Sequence, residues 1–198
     1  MAKTKKTNVR AIALTAVMGA LGAILMFVEV SLPIIPSFIK LDFSELPALI
    51  AAFAYGPAYG ILVCLIKNVL HLFAGSTMGI GEVSNFILGA VFVGTAGFIY
   101  RKNKTKQGAL ISCVIGSVVM AVISIFTNYF VVYPLYVTVL GMPMDVIISM
   151  YSAILPAADN LWKALIIFNL PFNICKGLID AIFCFFIYKR ISPILKKR

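Results

Sequence analysis

Long apolar runs cut by short polar or Gly/Pro-rich breaks set the rhythm of this chain. A helix needs about 20 apolar residues to cross a bilayer. The first run predicts a helix from about Val9 to Val28, followed by a loop with Pro33 and Pro36 that ends at Asp42. Ser44 is placed to cap a short second helix, which stops at the Tyr55-Gly56-Pro57 turn. A third helix spans roughly Ala58 to Phe73, and Ala74 to Gly79 reads as a loop. The fourth helix runs from about Gly81 to Tyr100 and the fifth from about Gly108 to Val132. Pro134, Gly141, Pro143 and Pro156 predict a long connection between Tyr133 and Asn160. Its apolar piece, Val146 to Leu155, is too short to span and would lie in the interface. A sixth helix covers about Leu161 to Tyr188, with a kink at Pro171. The expected fold class is an all-α integral membrane protein: one domain over 1–198, with six transmembrane helices.

Composition supports that class. Of 198 residues, 62% are hydrophobic and only 12% charged, whereas soluble domains are nearer half apolar and a quarter charged. Mean hydropathy is +1.03. The basic N-terminus followed by Ala11 to Val28 resembles a secretory signal, but the apolar stretch is too long for one and further spans follow, so it is read as a retained first helix.

The net charge of +10 becomes informative only when mapped. Lys3, Lys5, Lys6 and Arg10 precede the first span, Arg101, Lys102, Lys104 and Lys106 share one loop, and Lys189, Arg190, Lys196, Lys197 and Arg198 close the chain. With six spans, all three clusters fall on one side, which the positive-inside rule makes cytoplasmic, together with both termini. This pattern fits contact with the anionic lipid of a bilayer, and no nucleic-acid reading motif accompanies it. Cys64, Cys113, Cys175 and Cys184 sit in apolar runs without CxxC or Cys/His spacing, and His71 stands alone, so no metal site is expected.

Polar residues inside the apolar runs carry the functional signal. Asn169, Asn173, Lys176 and Asp180 interrupt the sixth run, and ionisable groups in a span usually face a cavity or a partner. Asn173 and Lys176 are three apart and share a helix face. Glu82 and Asn85 near one end of the fourth helix, and Asn128 near the end of the fifth, lie on the external side in this topology. A primary amide offers both donor and acceptor, which suits a neutral heterocycle with an imide-like edge. Phe43, Phe126, Tyr129 and Tyr133 are candidate aromatic walls. Any single Asn here fits an interhelical hydrogen bond equally well. No Arg lies on the external side, which disfavours a multiply anionic ligand. Lys67 and His71 share a face of the third helix, and a structural ion pair of Lys67 with Glu82 is the expected arrangement. An intramembrane enzyme built on Glu82, His71 and Lys67 is the reading from another class, although GxSxG, HExxH and paired-Asp motifs are absent. A structural or assembly subunit is a third. On the first helix, Ala16 and Ala20 are four apart, as are Gly19 and Ala23. Small residues at this spacing serve packing within the bundle or docking to a second membrane protein.

The stretches Leu41-Asp42-Phe43-Ser44-Glu45-Leu46-Pro47, Tyr55-Gly56-Pro57, Lys67-Asn68-Val69-Leu70-His71, Gly79-Ile80-Gly81-Glu82-Val83-Ser84-Asn85-Phe86 and Asn173-Ile174-Cys175-Lys176 resemble those of the substrate-binding S components of energy-coupling factor (ECF) vitamin transporters, in particular the riboflavin-binding ones. The resemblance implies six helices that bind riboflavin near the outer face as transported ligand, with no cofactor; a different neutral vitamin or heterocycle is the alternative within this class. It implies that Asn128, Asn173 and Lys176 bond the ring, that Leu41, Asp42 and Phe43 belong to a covering loop, and that Asn85 and Glu82 line the site more loosely. It further implies docking through Ala16, Gly19, Ala20 and Ala23 to a transmembrane coupling subunit, itself joined to a pair of ATPase subunits. This chain lacks GxxxxGK[ST], so any ATPase is another chain.

Overall fold

The computed structural model describes residues 9–75 and 77–196. Lys3, Lys5, Lys6, Lys197 and Arg198 of the basic clusters, and Ser76 of the Ala74–Gly79 loop, lie outside the described residues. The backbone is a helical bundle: α1 (Val9–Phe27), α2 (Glu45–Tyr55), α3 (Pro57–His71), α4 (Ile80–Tyr100), α5 (Lys106–Thr127), α6 (Tyr133–Val139), α7 (Met144–Ser152), α8 (Leu161–Ala164) and α9 (Leu170–Lys196). Between α1 and α2 a two-residue antiparallel ladder joins β1 (Val30–Ser31) to β2 (Lys40–Leu41), pairing Val30 with Leu41. Among the described residues, four helical stretches are long and apolar enough to cross a membrane: Val9–Phe27, Ile80–Tyr100, Lys106–Val139 and Leu161–Ile187.

The helices α2 and α3 are shorter, with 11 and 15 residues, or ~16 and ~22 Å at 1.5 Å per residue. Gly56 separates them at φ +115°, a backbone state that favours glycine. Pro57 then opens α3 where its missing N–H costs nothing. Gly60 has no room for a side chain: a Cβ there would overlap Val93 and the Ala48 carbonyl, so α2, α3 and α4 approach closely. Ser44 precedes α2 but makes no side-chain cap, because its hydroxyl is engaged elsewhere.

Two features depart from the sequence reading. The fifth helix does not stop at Val132. A π-helical turn, Asn128–Val132, leads directly into α6, making one apolar stretch of 34 residues. The expected long connection is thereby shortened by the 7 residues of α6, and α7 lies within its remainder. The irregularity in the last helix is a second π turn, Leu165–Asn169, ahead of Pro171. In both places the proline is the second residue after the π turn: Pro134 after Val132, Pro171 after Asn169. A helical proline clashes with the carbonyl four residues back. The wider π turn holds that carbonyl, at Phe130 and Ile167, and relieves the clash.

The core divides in two. One cluster, with Leu49, Phe53, Val63, Phe92, Tyr100 and Met120, joins α2 to α5 and α9. The other, with Ile35, Ile125, Tyr133, Ile147, Tyr151 and Leu165, gathers the second half of the α5–α6 stretch, α7 and the residues leading into α9. A cavity opens between them.

Candidate functional site

A cavity of about 490 Å³ lies where the α1–α2 connection folds over the ends of α3, α4, α5 and α9. That is within the range of small-molecule pockets. Asp42, Glu82, Asn85, Asn128, Asn173 and Lys176 all line it. Leu41 and Phe43 do not: Leu41 is held in the β1–β2 ladder, and Phe43 turns away onto Phe183 at 5.3 Å. The expected aromatic walls also change. Tyr133 remains, joined by Phe38, Tyr136 and Phe172, while Phe126 and Tyr129 cluster on Trp162 outside the cavity.

The amides are the most telling groups. Asn128 is buried, yet its side chain makes no hydrogen bond among the described residues. Asn173 Nδ2 donates to the Asn169 carbonyl at 2.8 Å and to Ser124 Oγ at 3.2 Å, leaving Oδ1 without a protein partner. Asn85 Oδ1 is buried and unpartnered. Buried polar groups are nearly always paired, and each unpaired one costs about 1–3 kcal/mol. Asn85 Oδ1 is unpaired in this sense, and the Asn128 amide and Asn173 Oδ1 line the cavity without a protein partner, so all three are free to bond a ligand. The π turns help place them: Asn128 opens the first and Asn169 ends the second, one turn before Asn173.

Asn169 itself is structural. Its Oδ1 accepts from Tyr151 Oη at 2.8 Å and its Nδ2 donates to Tyr133 Oη at 3.5 Å, while the two tyrosines bond each other. This triad braces α7 against both π-containing helices.

Beneath the covering segment lies a closed ion network. Lys176 Nζ donates to Asp42 Oδ2 at 2.8 Å and sits 3.2 Å from Glu45 Oε2. Lys67 Nζ donates to Glu45 Oε1 at 2.8 Å and to Ser44 Oγ. The Ser44 N–H and hydroxyl both bond Asp42 Oδ1. Burial pushes the Asp42 carboxyl up, but Lys176 and Lys67 outweigh it and hold it well below the usual carboxylate range. The expected Lys67–Glu82 pair is thus absent: Lys67 points to Glu45, and Glu82 pairs instead with His71 Nδ1 at 2.8 Å and accepts from Thr77 Oγ1 at 3.2 Å. Glu45, missed as a site residue, becomes a hub because α2 packs against α3 and α9, a proximity that sequence spacing does not encode. The Glu82–His71–Lys67 constellation of the enzymatic reading does not assemble.

The small residues of α1 also divide. Ala16 and Ala20 face outward, but Gly19 and Ala23 are buried. A Cβ on Gly19 would strike Ile66 of α3, so Gly19 packs inside the bundle.

Comparison with known proteins places these observations. The family profile described as "ECF transporter, substrate-specific component" matches residues 10–188. The chain is 32% identical to the riboflavin transporter RibU of Staphylococcus aureus (strain TCH60), over 92% of this chain and 90% of that protein. It is 29% identical to the riboflavin transporter FmnP of Bacillus subtilis (strain 168), over 96% of each. A solved structure, described as the S component of a bacterial ECF transporter, superposes with a TM-score of 0.74 at 29% identity, covering 95% of this chain and 98% of that one.

Proposed function

The chain belongs to the substrate-specific components of ECF transporters, and from that premise we propose that it captures riboflavin in the 490 Å³ cavity for uptake across a prokaryotic cell membrane. The observation that carries the reading is the set of amides Asn85, Asn128 and Asn173 lining a partly aromatic cavity, each with a polar atom that no protein group bonds. A flavin ring supplies the complement: a flat apolar body with an imide edge whose N–H lies between two carbonyls. Asn128 and Asn173 bond that edge, and Lys176 adds a cation beside it. Phe38, Tyr136 and Phe172 enclose the ring. The corner of His71, Thr77 and Glu82 accommodates the hydroxylated tail. Both cavity lysines, Lys40 and Lys176, are already paired with carboxylates, at Glu29 and at Asp42 with Glu45. The site therefore suits a neutral ligand.

The proposed topology has six spans and cytoplasmic termini, with α2 and α3 as the short pair. The segment from Val28 to Asp42 closes the cavity on the external side. Uptake is driven by ATP hydrolysis on a pair of ATPase subunits, transmitted by a transmembrane coupling subunit that docks on the outward residues Ala16 and Ala20. The deciding experiment is purification in detergent, visible absorbance, and mass spectrometry of the released ligand. Stoichiometric riboflavin supports the reading. A folded, colourless protein that also ignores added riboflavin rejects it.

A further inference from the structure

One buried acid takes no part in the site just described. Asp180 is 1% exposed, and neither carboxylate oxygen has a hydrogen-bond partner. It lies one turn beyond Lys176 on the same face of α9. A helical side chain leans toward the N-terminus and covers the preceding turn, so the Asp180 carboxylate leans toward the Lys176 stem. It also lies within electrostatic reach of Glu45, Lys176, Asp42 and Lys67. An unpaired carboxylate in such a place is costly, and the closed structure offers nothing in return.

Lys176 has two seats in view. The occupied one is formed by Asp42 and Glu45. Asp42 belongs to the segment that covers the cavity, so when that segment lifts, its carboxylate leaves with it. Lys176 would then be left with Glu45, already shared with Lys67. We propose that Asp180 is the second seat of the Lys176 ammonium, occupied when the covering segment opens. In the closed state Asp180 is unpaired and Lys176 latches the segment. In the open state Lys176 drops one turn along α9, Asp180 is satisfied, and the polar wall beside the ligand loses its cation. Opening and weakened grip then become a single event. This deepens the transport reading above and rests on it for its purpose, but the seat itself is a property of the ligand-free protein.

The test is hydrogen exchange of backbone amides 29–42 in the full-length, ligand-free protein in detergent, comparing wild type with Asp180→Asn. Exchange through local opening reports the free energy of that opening. Removing the open-state seat favours closure, so exchange of this segment should slow by about tenfold or more, the worth of one charge-assisted contact. In a Lys176→Met background, where no ammonium remains to move, Asp180→Asn should leave the segment unchanged. Asp180→Leu is a second carboxylate-free variant, should the amide destabilise the bundle. Unchanged or faster exchange in a folded carboxylate-free variant would overturn the proposal, as would equal slowing with and without Lys176. Failure of the wild-type protein to bind riboflavin would instead overturn the functional reading and leave this result standing.

Discussion

Two asparagines on neighbouring helices should respond to the same substitution in opposite ways. Asn128 lines the cavity and spends none of its amide on the protein. Asn169 spends both ends of its amide, accepting from Tyr151 at 2.8 Å and donating to Tyr133 at 3.5 Å. Asn128→Ala removes no internal hydrogen bond, so folding stability should stay within about 0.5 kcal/mol of wild type, as for sites without a named destabilising mechanism. It does remove a donor and an acceptor offered to the ligand. Two bonds at roughly 0.5–1.5 kcal/mol each give about 1–3 kcal/mol, or a ~5- to 150-fold loss of riboflavin affinity. Asn169→Ala takes away the acceptor of the Tyr151 hydroxyl, leaves the two buried tyrosines only each other, and should cost about 1–3 kcal/mol of stability. Thermal unfolding in detergent and flavin titration on the same preparations separate the two quantities. A lowered melting temperature for Asn128→Ala with unchanged affinity would refute the assignment of its amide to the ligand. An Asn169→Ala protein as stable as wild type would refute the bracing triad.

Other outcomes follow from single contacts. Lys176→Met leaves Asp42 and Glu45 buried without their shared cation and should destabilise the protein by about 3–5 kcal/mol, with riboflavin binding lost; denaturant unfolding and titration read both. Gly177→Leu drives a side chain into Ser117 where α5 meets α9, and overpacking of this kind should lower stability by about 1–3 kcal/mol in the same unfolding assay. Ala16→Leu, on the outward face of α1, should abolish riboflavin uptake by cells while the purified protein binds as before; normal uptake would remove Ala16 from the docking face. The phosphate ester of riboflavin should bind at least about tenfold more weakly than riboflavin in competition titration, since both cavity lysines are already paired.

Much of the bundle was legible as apolar length. The first and fourth helices were read to within about a residue or two, because Gly/Pro-rich or charged segments bound them. The continuation through Tyr133-Pro134 was not, since a proline normally argues for a break. It is tolerated because the π turn ahead of it clears the clash and the proline enters α6 near its start. Asn128, Asn173 and Lys176 stood out as polar residues in apolar surroundings, whereas Glu45 did not. It follows a loop, where a carboxylate draws no notice, and only the packing of α2 against α3 and α9 makes it the neighbour of two lysines. The Lys67–Glu82 expectation failed for the same reason: spacing along one helix fixes a face but not the partner across from it. On α1, spacing alone could not separate the outward Ala16 and Ala20 from Gly19, which the depth of Ile66 settles.

The paired π turns make the two longest helices sensitive to the count of their residues. Each residue of an α-helix turns its successors by about 100°. Deleting one residue from Asn128–Val132 would let the helix close into regular α geometry and return Pro134 to its clash, whereas deleting one from the α-helical Lys106–Thr127 would turn Asn128 away from the cavity. The same closure at Leu165–Asn169 would return Pro171 to its clash with the carbonyl four residues back. Substitution and deletion therefore act on this protein at different scales: one alters a single contact, the other re-aims an entire wall. Related chains that bind the same ligand should keep Asn128, Asn169 and the number of residues in these turns, and differ more freely at the other positions.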